Sequence, residues 1–84
     1  MHRVYMFFMH RDGWSCQFME DDLKTPLPKR VSFHDSAKIY EIARRAGTSS
    51  SLEEKHALDH GIEIGRGGIW LQLDEEQYQK LKKA

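Results

Sequence analysis

An Asp12-Gly13 pair stands between two apolar runs, Arg3-Val4-Tyr5-Met6-Phe7-Phe8-Met9-His10-Arg11 and Trp14-Ser15-Cys16-Gln17-Phe18-Met19. This is a strong hairpin signal. A two-residue type I′ turn needs positive φ at both central positions, which Asp and Gly tolerate, and it fixes the register of the strands it joins. With Asp12-Gly13 as that turn, Met9 faces Cys16, Phe7 faces Phe18 and Tyr5 faces Glu20. Strand alternation then places these residues on one face, the expected core. Val4, Met6, Phe8, His10, Ser15, Gln17, Met19 and Asp21 fall on the other, which is half apolar.

Downstream, Glu20 to Lys29 holds Pro26 and Pro28 and reads as an extended loop. Arg30-Val31-Ser32-Phe33-His34 alternates as a short third strand. Asp35 or Ser36 is placed to cap a helix with Ile39, Ile42, Ala43 and Ala46 on one face and Gly47 as its C′ residue. Ser49–Ser51 reads as a linker, and Ser50 with Glu53, or Ser51 with Glu54, as a capping box for a second helix reaching about His60. Gly65-Arg66-Gly67-Gly68 reads as a turn. Ile69 to Leu73 reads as a fourth strand with Ile69, Leu71 and Leu73 inward and Trp70 outward. Asp74 and Gln77 form a capping box for a C-terminal helix carrying Tyr78 and Leu81.

The expected order is β-β-β-α-α-β-α. It describes an α+β two-layer domain over residues 1–84, with a small antiparallel or mixed sheet of three to four strands and helices on one face. The expected core comprises Phe7, Phe18, Ile42, Leu58, Ile69 and Leu71.

The chain has 84 residues, and its 13 basic and 13 acidic side chains cancel, so no overall positive field marks it for nucleic acid. No apolar run approaches the roughly 20 residues a bilayer span requires. The first apolar stretch is short and ends in His10-Arg11-Asp12, so no secretory leader is expected. A single cysteine forms no internal disulfide, and a reduced, cytoplasmic setting follows as the default. Cys16, on the core face, reads as an inert thiol.

The principal functional expectation is a partner surface of Met6, Phe8, Met19 and Trp70, because a contiguous apolar sheet face is rarely left in water. It describes a small non-enzymatic protein-binding or regulatory module, homodimeric or docking another protein, since twofold dimers are the commonest assembly. A second reading is a nucleic-acid-binding accessory protein using Arg30, Arg44, Arg45 and Arg66 with aromatic residues of the open sheet. Against it, Glu20, Asp21 and Asp22 sit near the same sheet edge. A third is a metal site on the second helix, where His56 and His60 stand at i,i+4 flanked by Glu53 and Glu63. Ala57 occupies the position where an H-E-x-x-H motif carries its glutamate. No nucleophile, base and orienting group form a set, so neither catalysis nor a cofactor is expected.

Overall fold

The computed structural model describes residues 1–47 and 52–83, without the side chains of Leu52 and Glu53. The serine linker and the first residues of its capping boxes lie outside the described residues. The expected order is observed: β1 (His2–His10), β2 (Trp14–Met19), β3 (Pro26–Phe33), α1 (Lys38–Ala46), α2 (Leu52–Ile64), β4 (Arg66–Leu73) and α3 (Glu75–Leu81). The strands form one four-stranded sheet in the order β3-β2-β1-β4, and every neighbouring pair is antiparallel.

The first hairpin differs from expectation by one residue. Arg11 joins Asp12 and Gly13 in the turn, and His10 pairs with Trp14, Phe8 with Cys16 and Met6 with Phe18. Asp12 and Gly13 do take positive φ, at 56° and 114°. The extra loop residue nevertheless changes the parity of β1. A one-residue slip moves every side chain of a strand to the opposite face. Val4, Met6 and Phe8 are therefore fully buried beside Trp14, Cys16 and Phe18, whereas Phe7 is 37% exposed. The expected roles of Phe7 and Phe8 are exchanged.

Phe18, Leu58, Ile69 and Leu71 are core as expected, and Ile42 is partly buried against them. Trp14 stacks on Phe33 with centroids 6.3 Å apart and an interplanar angle of 9°. Phe8 lies against the same tryptophan, closing the turn end of the core.

β3 begins at Pro26, inside the expected proline loop. A proline lacks the N–H of a ladder bond, so it is accepted on an edge strand, which β3 is. The irregular register between Gln17 and Met19 accommodates this segment and lets Leu27 enter the core. The loop before it is tightened by Asp22, whose carboxylate accepts from the backbone of Lys24 and Thr25 and from the Thr25 hydroxyl.

Helix α1 begins at Lys38. Asp35 accepts from the Ala37 N–H just ahead of it, and Ala37 itself holds the N-cap position without a side-chain cap. Gly47 ends α1 in extended backbone, not in a left-handed turn. Its hydrogen is required by crowding: a Cβ there would lie 2.7 Å from the Leu73 side chain. The Glu41–Arg45 pair forms at 2.7 Å, and the Asp74/Gln77 capping box is present at α3.

Helix α2 runs past His60 through Gly61. A Cβ at Gly61 would stand 2.6 Å from the Phe8 ring and 3.0 Å from the Arg66 carbonyl oxygen, and one at Gly67 would stand 3.1 Å from the same ring. The two glycines thus make the slot that Phe8 fills. Of the Gly65 to Gly68 segment, Gly65 has positive φ and ends α2, while Gly67 and Gly68 belong to β4. Gly61→Ala should destabilise the fold by about 1–3 kcal/mol, since overpacking outweighs the roughly 1 kcal/mol by which alanine favours a helix over glycine. Urea unfolding checks this, and a stabilised variant would show that the slot is not tight.

All three helices meet the sheet on the face of Val4, Met6 and Phe8. Gly61 fixes α2 there through Phe8. α1 buries Ile39 and Ala43 in the same core, and α3 buries Leu81. Tyr78 of α3 stacks on His2 at 3.8 Å, and its hydroxyl donates to Glu20. The third helix therefore shares the layer of the other two.

Candidate functional site: the outer sheet face

The sheet's other face is formed by the complementary positions: Arg3, Tyr5, Phe7 and Met9 on β1; Ser15, Gln17 and Met19 on β2; Arg30 and Ser32 on β3; Arg66, Gly68, Trp70 and Gln72 on β4. No described helix packs on it. Met6 and Phe8, expected here, are in the core because of the parity change, while Met19 and Trp70 do lie on this face. Sequence reasoning missed Arg3, Tyr5 and Phe7, which the three-residue turn turns outward.

The β1–β4 side of the face is aromatic. Tyr5 and Trp70 are directly paired across β1 and β4, with ring centroids 5.0 Å apart in an edge-on arrangement. Gly68 makes room for Tyr5, since a Cβ at this position would meet the phenol at 2.4 Å. The Arg3 guanidinium lies 3.9 Å from the Trp70 ring centroid. Phe7 stands two residues along β1 from Tyr5, roughly 7 Å away at ordinary strand rise. Burial, and then the charge of Glu54, raise the Tyr5 pKa above its ordinary value, so the phenol stays neutral. Glu54 reaches the free edge of β4, where its carboxylate accepts from the Trp70 N–H at 3.1 Å.

The strand side chains of this face carry positive charge, with the Glu54 carboxylate at the β4 edge beside Tyr5 and Trp70. Arg3, Arg30 and Arg66 occupy outward strand positions, and no outward strand position carries a carboxylate. Of the acids that sequence placed near this edge, two have partners elsewhere, while Asp21 lines a small pocket together with Arg3 and Glu20. Glu20 bonds Tyr78 on the helix side, and Asp22 closes its own loop.

Of the arginines expected to act together, Arg30 and Arg66 share the outer face. Arg44 and Arg45 belong to α1 on the opposite layer. His56, His60 and Glu63 are exposed on α2, and the side chain of Glu53 lies outside the described residues. Among the described residues, no group of three or more His, Cys, Asp or Glu could hold a metal ion.

Cys16 is buried, and burial pushes its pKa up to about 12. A raised folded-state value means that the thiol's contribution to stability is intact below the unfolded pKa of about 8.5 and is lost as pH climbs from there toward the folded value. At pH 8, iodoacetamide should label Cys16 only when urea opens the fold, because the thiolate is the nucleophile. Rapid labelling of the folded chain would contradict this burial.

No helix among the described residues is long and apolar enough to cross a membrane. Comparison with protein-family models, curated proteins and solved structures gives no match for this chain.

Proposed function

We propose that this chain is a non-enzymatic binding module whose outer sheet face takes single-stranded nucleic acid. The observation that carries this reading is the combination of Tyr5, Phe7 and Trp70 with Arg3, Arg30 and Arg66 on one open face whose strand positions carry no carboxylate, Glu54 reaching only its β4 edge. Aromatic rings on an open sheet offer π-faces to unstacked bases, and guanidinium groups bind phosphates by charge and paired hydrogen bonds.

Arg3 covers part of Trp70, so a base stacking there displaces it. An exposed cation–π contact contributes about 0.5–1 kcal/mol, whereas base–aromatic stacking contributes about 1–3 kcal/mol. The exchange favours the base, and the released guanidinium is then placed for a phosphate.

A second copy of the chain is a poorer occupant of this face. Face-to-face pairing would bring arginines against arginines, and like charges across an interface are disfavoured. This consideration moves the homodimer reading behind the nucleic-acid one.

Fluorescence anisotropy with labelled single-stranded RNA, single-stranded DNA and a duplex tests the proposal. Single strands should bind with a log–log salt slope of about −2, for three phosphate contacts at about 0.7 each. The duplex should bind more weakly, because its bases are already stacked. No binding at low salt, or salt-insensitive self-association in sedimentation, would overturn the proposal. The latter would restore the homodimer.

A further inference from the structure

A separate cleft opens on the opposite side of the molecule, between β3, α1 and α3. Its volume is about 450 Å³, and its floor is formed by Phe18, Val31, Ile42, Ala46 and Leu81. The size lies in the roughly 300–1,000 Å³ range of small-molecule sites. Gln77 is the uncharged polar side chain of the lining, and the remaining lining residues are Lys29, Arg45, Lys80 and Lys83.

Those cations define the ligand. Arg45 is paired with Glu41 at 2.7 Å and Lys80 with Glu76 at 3.8 Å. Lys29 and Lys83 make no salt bridge among the described residues. An apolar floor with surplus positive charge at its rim matches an apolar body ending in an anion. We infer that this cleft binds a free single-chain fatty acid, its alkyl chain on Phe18, Ile42 and Leu81 and its carboxylate at Lys29 and Lys83.

A peptide strand fits the site less well. Pro26 and Pro28 each lack an N–H, which leaves the first half of the β3 edge with fewer donors for strand addition. The site is also distinct from the outer face, since Phe18 and Val31 point to the helix side of the sheet.

Titration calorimetry with laurate, dodecanol and dodecyltrimethylammonium, each below its micelle concentration, tests the inference. Laurate should bind, and the ammonium should bind at least about tenfold more weakly. The exposed double variant Lys29→Glu/Lys83→Glu should lower laurate affinity about tenfold and leave dodecanol affinity unchanged, because only the carboxylate senses those charges. Ala46→Trp, which fills the cleft, should reduce binding of both laurate and dodecanol. Phe7→Ala should leave laurate binding intact, which separates this site from the outer face. Equal affinity for all three amphiphiles, no laurate binding, or an unaffected double variant would overturn the inference. Retention on phosphatidylglycerol vesicles without laurate binding would also overturn it, in favour of a membrane surface.

Discussion

Phe8→Ala should destabilise the protein by about 3–5 kcal/mol, the usual cost of emptying a phenylalanine site in a packed core. Phe7→Ala should cost less than about 1 kcal/mol. The two residues are neighbours of identical chemistry, and the difference comes entirely from parity. Phe8 is fully buried in the slot between Gly61 and Gly67 and touches the Trp14 cluster, whereas Phe7 is 37% exposed on the outer face. A loss of that size approaches the whole stability of a small domain, commonly about 5–15 kcal/mol. Urea unfolding followed by circular dichroism reads both variants. If the Phe8 variant loses its fold altogether, Phe8→Leu supplies an intermediate loss. A Phe7→Ala cost exceeding that of Phe8→Ala would return the hairpin to a two-residue turn.

The second large effect concerns binding. Phe7→Ala should weaken single-strand affinity about fivefold to a hundredfold, corresponding to the roughly 1–3 kcal/mol of one stacked base. Trp70→Ala should act in the same direction. Its ring also packs on Tyr5 and Arg3, so its effect combines stacking with reorganisation of its neighbours. Arg30→Ala should instead lower the magnitude of the salt slope by about 0.7 while leaving base preference unchanged. Anisotropy at several salt concentrations distinguishes these outcomes. Unchanged affinity in both aromatic variants would remove the stacking platform.

The element order was legible because turn and cap signals separate the elements and several of them have a clear period. Ile69, Leu71 and Leu73 alternate cleanly with Gly68, Trp70 and Gln72, so the faces of β4 were readable. The same holds for Trp14, Cys16 and Phe18 on β2. β1 offers no such contrast: Val4, Met6 and Phe8 are as apolar as Tyr5, Phe7 and Met9. Where both faces are apolar, pattern cannot choose the register, and turn length decides it. Asp12-Gly13 announced a turn with positive φ but left open whether Arg11 belonged to it. The side chain of Arg3 and the phenol of Tyr5 were the available signals, since the odd face of β1 carries polar groups and the even face carries none between His2 and His10. The proline segment hid the start of β3 because ladder donors are dispensable only on an edge, and edge position is a tertiary property.

The outer face was therefore anticipated as a surface but populated with the wrong side chains of β1. Replacing Met6 and Phe8 by Arg3, Tyr5 and Phe7 changes its chemistry as well as its membership. An apolar patch becomes an aromatic surface with guanidinium groups, and the proposed partner changes with it.

The most direct measurement uses the tryptophan fluorescence of Trp14→Phe, in which Trp70 is the remaining tryptophan. Trp70 belongs to the proposed platform, on the edge strand β4, and Trp14 is buried at 8% exposure in the core. Titration with single-stranded RNA at low salt should quench Trp70 emission saturably, and added salt should reverse the quenching as phosphate contacts weaken. Unchanged Trp70 emission through a titration that reaches micromolar RNA, with the fold intact by circular dichroism, would contradict the assignment of this face to nucleic acid.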